Sequence, residues 1–83
     1  MAESGKTLAS MNAGDKVVID AVDTRDPQVR RLMTLGLVEG AEIEHATSAL
    51  GGDPIEFILF GQAISMRREQ ARAFSVSPVG AGE

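Results

Sequence analysis

The single histidine, His45, is the first residue whose chemistry suggests a ligand site. The 83-residue chain contains no cysteine, so zinc-ribbon and iron–sulfur sites built from thiolates are excluded. A metal site would have to combine this histidine with nearby carboxylates, of which the sequence offers Glu42, Glu44 and Glu56. In a hairpin of residues 41–48 and 54–60, however, His45 lies across from Phe57, and Glu44 and Glu56 point to the other face. We therefore expect His45 to be a half-buried residue with a backbone partner; any metal it binds, such as zinc, would be shared with a second molecule.

No catalytic or nucleotide-binding motif accompanies this histidine. The tripeptide Gly5-Lys6-Thr7 resembles the end of a phosphate-binding loop, but that motif needs a further glycine and a strand upstream, which the sequence does not show. A general base needs a nucleophile within about 3 Å and a substrate cleft, and the residues around His45 indicate neither. We expect a protein that is not an enzyme and that requires no cofactor.

The charge balance argues against nucleic acid as a partner. The net charge is −4, with twelve acidic residues against eight basic ones, whereas nucleic-acid affinity depends on lysine and arginine displacing counterions. All six arginines nevertheless fall in two short segments: Arg25, Arg30, Arg31, Arg67, Arg68 and Arg72. We interpret these segments as solvated helical faces; the alternative is a basic patch for phosphate or RNA.

Composition indicates one small domain in the cytoplasm. A secreted domain of this size usually carries disulfides, and the apolar runs are far shorter than the roughly 20 residues that span a bilayer. The N-terminal residues also lack the apolar core of a signal peptide. We expect a single domain over residues 1–83, with an ordered core at about 7–77 and frayed ends at 1–6 and 78–83.

The elements that must position any site begin with a strand and a helix. Residues 16–22 are β-branched and apolar, which predicts the first strand. A helix over about residues 26–35 follows, because Asp26 is a good N-cap, Pro27 suits the first turn and Gly36 suits the end. The residue after that glycine, Leu37, would pack back on the last turn.

Short strands separated by tight turns make up the rest of the chain. Period-two patterns and glycine turns, at Gly51–Pro54 and at Gly61-Gln62, predict strands at residues 41–48, 54–60, 63–66 and 73–77. A one-turn helix over about residues 68–72 precedes the last strand. This order favours a mostly-β fold, a small and strongly bent barrel of the SH3-like kind.

Two apolar features are candidate partner-binding surfaces. If Ile55, Phe57 and Leu59 fill the barrel, then Ile58 and Phe60 face outward, and an outward apolar pair favours a protein-binding or self-association patch. The alternative is that the N-terminal segment and the helix cover both. Leu37 and Val38, in the turn after the helix, form a second candidate contact.

The ordered set of motifs resembles the FeoA family over roughly residues 8–76. The matching segments are Arg31-Leu32-Met33-Thr34-Leu35-Gly36-Leu37, Gly40, Gly52-Asp53-Pro54-Ile55, and Ala63-Ile64-Ser65-Met66-Arg67 with Ala71. The resemblance implies an SH3-like barrel acting in the cytoplasm beside FeoB, a membrane protein with a GTPase domain that takes up ferrous iron. It therefore implies docking on that transporter and modulation of its activity. A homodimer is also compatible with the resemblance. The alternative is a free-standing regulatory domain that responds to metal or phosphate. His45 and Phe60 depart from the family's pattern, which usually has an aliphatic and a polar residue there.

Overall fold

A computed structural model describes residues 6–48 and 52–79 as one five-stranded antiparallel sheet with two short helices. The strands are β1 (Lys16–Val22), β2 (Glu42–Ser48), β3 (Ile55–Leu59), β4 (Gln62–Met66) and β5 (Phe74–Pro78). The helices are α1 (Pro27–Met33) and α2 (Arg68–Ala71), and a 3-10 turn occupies Leu8–Ser10. The predicted mostly-β class, both helices and all five strands are confirmed, with ends that differ by a few residues.

The strands lie in the order β4-β3-β2-β1-β5, so β4 and β5 form the two edges of the sheet. The β2–β3 pairing shifts register between His45 and Thr47, whereas the β3–β4 pairing is continuous. His45 pairs with Phe57, as the hairpin predicts. A bulge of this kind increases local twist and bends its strand, which suits a sheet that curls around one core.

Local signals determine both ends of α1. The Asp26 carboxylate accepts a hydrogen bond from the Gln28 amide at 2.8 Å, and Pro27 occupies the first turn. Past the C-terminal end, Gly36 adopts a φ of +111°, a conformation that side-chain-bearing residues rarely reach. The chain therefore reverses at this glycine, and α1 buries Val29 and Leu32 against the sheet.

The core is one cluster of buried side chains from all five strands, both helices and the N-terminal segment. Its largest fully buried side chains are Phe57, Phe74, Leu8, Ile19, Leu37, Ile43, Ile55, Leu59 and Val29. The position of Leu37 corrects one expectation. It is 0% exposed, so its proposal as a partner contact is wrong: the reversal at Gly36 folds it inward, as its packing on the last turn of α1 requires.

The N-terminal segment is an integral part of the barrel. Thr7 caps the 3-10 turn by accepting a hydrogen bond from the Ala9 amide at 3.2 Å, and Leu8 is fully buried. The guanidinium of Arg68 donates to the Ala9 carbonyl and, at 2.7 and 3.1 Å, to the Gly52 carbonyl. This one side chain therefore joins the 3-10 turn, the β2–β3 loop and α2. Gly51 of the predicted turn lies outside the described residues, as do residues 1–5 and 80–83 of the frayed ends predicted at 1–6 and 78–83. Of the remaining residues of those ends, Lys6 accepts a hydrogen bond from the Val76 amide and Pro78 is the last residue of β5.

Candidate functional site

The turn between β3 and β4 presents an aromatic side chain to solvent. Leu59, the last residue of β3, pairs with Gln62, the first residue of β4. Phe60 and Gly61 are therefore the two central residues of the turn. Their φ angles are +53° and +79°, the pattern of a type I′ turn. Phe60 is 77% exposed, while the other two phenylalanines of the chain, Phe57 and Phe74, are 0% exposed.

The ring of Phe60 lies over the reversal that ends the α1 segment. A Cβ atom placed on Gly36 would lie only 3.0 Å from Phe60 Cε2. Leu35 and Val38, within two residues of this glycine, are 55% and 41% exposed. Exposed apolar residues therefore occur on both segments that meet where Phe60 contacts Gly36, and we call Leu35, Val38 and Phe60 together the Phe60 patch.

The backbone at Phe60 carries a cost. Positive φ is uncommon outside glycine, asparagine and aspartate, and for a bulky residue it is an outlier. The energy involved is on the order of 1–2 kcal/mol. Asparagine followed by glycine is the preferred pair for a type I′ turn, yet the sequence has Phe60-Gly61. Strain of this kind concentrates at binding and switching sites, so the turn is a candidate for function as well as for chain reversal.

The structure brings together some of the sequence-predicted contact residues and separates others. Val38 and Phe60 share the Phe60 patch. Ile58 is half-buried and lines a separate shallow depression of about 130 Å³ with charged neighbours, namely Lys16, Glu42 and Glu44. Leu35 was missed by the sequence argument. Its exposure could have been predicted, because Leu35 does not belong to the apolar stripe of Val29, Leu32 and Met33 that α1 turns towards the core.

Comparison with known proteins gives the family. The model of the FeoA domain matches residues 6–78. The chain belongs to the FeoA family. A FeoA protein from Chlorobium tepidum, solved by NMR, is 36% identical with a TM-score of 0.83, covering 94% of this chain and 74% of that one. The search of curated proteins finds no match.

Two further FeoA structures are similar along nearly their whole length. The FeoA-like protein of Clostridium acetobutylicum is 27% identical with a TM-score of 0.80, covering 93% of this chain and 90% of that one. The FeoA of Stenotrophomonas maltophilia is 25% identical with a TM-score of 0.77, covering 87% and 89%. That protein was solved with zinc and is described as an SH3-domain protein proposed as an activating factor of bacterial ferrous iron transport. The SH3-like fold expected for this FeoA chain is confirmed.

His45 of this FeoA chain is placed as a structural residue. It is 4% exposed, its Nδ1 donates to the Met11 carbonyl at 3.2 Å, and its ring centroid lies 5.5 Å from that of Phe57. The expected backbone partner is therefore present, though burial is more complete than the predicted half. Within residues 6–48 and 52–79, no group of three or more histidine or carboxylate side chains could hold a metal ion. The described side chains therefore do not fit a resident metal site in this FeoA chain.

Three arginines of this FeoA chain are bonded within the chain itself, two to backbone carbonyls and one to a carboxylate. Arg68 is bonded as described above, and Arg30 donates to the Thr24 carbonyl at 2.7 Å. Arg25 pairs with Asp23, its Nε donating to Oδ1 at 2.9 Å, and this side-chain hydrogen bond is the main cause that lowers the Asp23 pKa to about 2. The pair lies on an exposed loop, so it shapes that loop and not the core.

In the described part of the chain, no helix has the length and apolar character needed to cross a bilayer.

Proposed function

We propose that this protein is a cytoplasmic accessory factor of bacterial ferrous iron uptake, which docks on the cytosolic side of an FeoB-like transporter through the Phe60 patch and modulates its activity. In this function it catalyses no reaction and carries no required cofactor. The observation that supports docking most strongly is Phe60, an exposed aromatic ring on a strained turn. Membership of a family associated with ferrous iron transport supplies the pathway.

The chemistry of the patch suits a protein partner. Aromatic side chains are enriched at interfaces because one rigid ring buries a large apolar area at low cost in conformational entropy. The ring of Phe60 lies over Gly36, and the exposed apolar residues Leu35 and Val38 lie within two residues of that glycine in the chain. Because a few buried anchor residues carry most of the binding energy of an interface, Phe60 is the residue of the patch to test first.

Binding of the purified protein to the cytosolic portions of the matching transporter, with and without GTP, tests this function. Biolayer interferometry with the wild-type protein should give a measurable Kd, and Phe60→Asp should weaken it by about thirtyfold, the effect of losing a hot-spot residue. Thr34→Asp, on the exposed end of the α1 segment but outside the patch, is the matched control and should bind as wild type. Absence of wild-type binding in every nucleotide state would refute docking.

A second function, that of a metal- or phosphate-responsive regulatory domain, is favoured by the zinc found with the Stenotrophomonas maltophilia relative. Because Nδ1 of His45 donates to the Met11 carbonyl, zinc would bind through Nε2, and the ring, which is 4% exposed, would have to be uncovered for the ion to reach it. Calorimetric titration with zinc and with ferrous iron, repeated on His45→Ala, separates the two functions. Micromolar binding that disappears in the variant would favour sensing over docking.

A further inference from the structure

The two edges of the sheet differ in whether other backbone segments pair with them. The outer edge of β5 is covered by the N-terminal segment: the Val76 amide donates to the Lys6 carbonyl at 3.1 Å, and Thr7 forms a bridge with Ser75. The outer edge of β4 pairs with no backbone in residues 6–48 and 52–79. One edge of the sheet is therefore closed by the chain itself, and the other is open to an added strand.

The register of the β3–β4 hairpin identifies the groups that the open edge presents. In a two-residue hairpin the flanking residues, here Leu59 and Gln62, exchange hydrogen bonds, and pairing alternates from there along the strands. Ile64 is therefore bonded to β3, while the amides and carbonyls of Ala63 and Ser65 point away from it. In the described chain no hydrogen bond reaches these four groups, and both side chains are small and exposed.

The usual protections of an edge strand are missing from β4. Natural sheets block open edges with lysine, proline, inward-pointing charges or a bulge, because an unprotected edge is a template for another strand. The sequence of β4, Gln-Ala-Ile-Ser-Met, contains no charge and no proline, and its register with β3 has no bulge. Phe60 lies two residues before this strand, so the open edge is continuous with the Phe60 patch.

We propose that the β4 edge and the Phe60 patch together form one docking surface for an extended segment of the transporter. The segment adds to the sheet as a strand beside β4, hydrogen-bonded to Ala63 and Ser65, and places a large apolar side chain against Phe60. Its centre is uncharged, to match β4, and an acidic residue suits the other end, where exposed Arg67 follows the strand. This inference rests on the proposed function and names the surface and the shape of the partner.

Size and charge favour an extended segment over a second copy of this chain. The three side chains of the Phe60 patch expose on the order of 300 Å², at the low end of the largest patches on monomeric proteins. A standard protein–protein interface buries about 800 Å² on each partner. Two copies would also each bring a net charge of −4. The β4 edge offers main-chain hydrogen-bonding groups and the Phe60 patch offers one apolar contact, which is the combination that an added strand uses.

A proline substitution on the β4 edge tests the inference, and the probe is again the cytosolic portions of the matching transporter. Ala63→Pro removes an amide that the fold does not use, so the barrel should form while binding weakens at least tenfold. Ala63→Val, which keeps the amide and favours a strand, is the matched control and should bind within about threefold of wild type. Amide hydrogen exchange on the wild-type complex gives a readout that needs no variant: exchange at Ala63 and Ser65 should slow at least tenfold on binding.

The outcomes separate this inference from the proposed function. If wild type binds but Ala63 and Ser65 exchange as fast as in the free protein, docking stands and the edge is the wrong surface. If Ala63→Pro fails to fold, the exchange measurement decides alone. If wild type does not bind, docking and the edge proposal fall together. Protection of both amides in the free protein that rises with its concentration would identify a second copy as the occupant and overturn the proposal.

Discussion

Replacing Phe60 by asparagine should leave the domain as stable as before or make it more stable. The residue occupies the first central position of a type I′ turn at a φ of +53°. Asparagine adopts this conformation readily and is the preferred residue there, whereas a bulky side chain is strained by about 1–2 kcal/mol. The Phe60→Asn substitution releases that strain.

The ring of Phe60 offsets part of this gain. With 77% of the residue exposed, about a quarter of its area is covered. A quarter of roughly 200 Å² is on the order of 50 Å², and its burial contributes about 1 kcal/mol at 25 cal/mol per Å². The net change in the free energy of unfolding therefore lies between about 0 and +1 kcal/mol. Truncating a fully buried phenylalanine such as Phe74 instead costs about 3–5 kcal/mol.

Urea denaturation followed by circular dichroism measures the difference. The midpoint should be unchanged or higher in Phe60→Asn, with the same slope, and a gain of 1 kcal/mol corresponds to about 4–8 °C in Tm. Phe60→Ala is the control, because it removes the ring but keeps a side chain that is strained at positive φ, and it should be less stable than Phe60→Asn. A loss of more than about 2 kcal/mol in Phe60→Asn would show that the ring belongs to the core and would refute the strain argument and the patch together. A variant that gains stability and loses transporter binding would show that this position is retained for function.

Three further substitutions or titrations examine other contacts. Arg68→Ala should lower the free energy of unfolding by about 2 kcal/mol, because two main-chain carbonyls lose a charged donor, whereas the exposed neighbour Arg67→Ala should change it by less than about 0.5 kcal/mol in the same denaturation assay. Gly36→Ala should cost more stability than Gly40→Ala, since both adopt positive φ but only the added Cβ at Gly36 meets the Phe60 ring; equal losses, or unshifted ring resonances in the NMR spectrum, would contradict the contact. The Asp23 carboxyl should titrate by NMR with a pKa of about 2, against 3.8 without its arginine partner. Because the pKa is lowered in the folded state, this pair stabilises its loop above about pH 4 and the contribution is lost as the pH falls towards 2; replacing the arginine by alanine should return the midpoint to the ordinary value.

Elements with local signals were predictable from the sequence. The N-cap, the proline and the terminal glycine of α1 lie within eleven residues of one another. Each of them sets the conformation of the backbone next to it, so the sequence alone indicates both ends of the helix. The bounds of β1 at Lys16–Val22 match the prediction because a β-branched run between two turns leaves little freedom. The His45–Phe57 pairing also followed from the hairpin, since alternation and turn position together determine register.

The candidate site depends on contacts that no local pattern contains. Alternation along β3 predicts that the Phe60 side chain points outward. The positive φ of Phe60 shows that the strand has already ended, and the contact with Gly36 shows where the ring lies. Leu37 was assigned to the surface because it follows a helix end, and the reversal carries it into the core. The open edge of β4 is likewise a property of the whole sheet, because it depends on which strand the N-terminal segment covers.

The placement of β1 next to β5 affects how the protein is made. β1 needs a partner strand that follows more than 50 residues later, and the bond from Arg68 to Ala9 spans 59 residues. At a synthesis rate of about 5–20 residues per second, β1 waits roughly 3–10 s on the ribosome before β5 exists. During that time its edge and the core face of the 3-10 turn have nothing to cover them, so the nascent chain is open to aggregation. We therefore expect the barrel to form late in synthesis, because a chain that ends before Phe74 lacks the strand that pairs with β1.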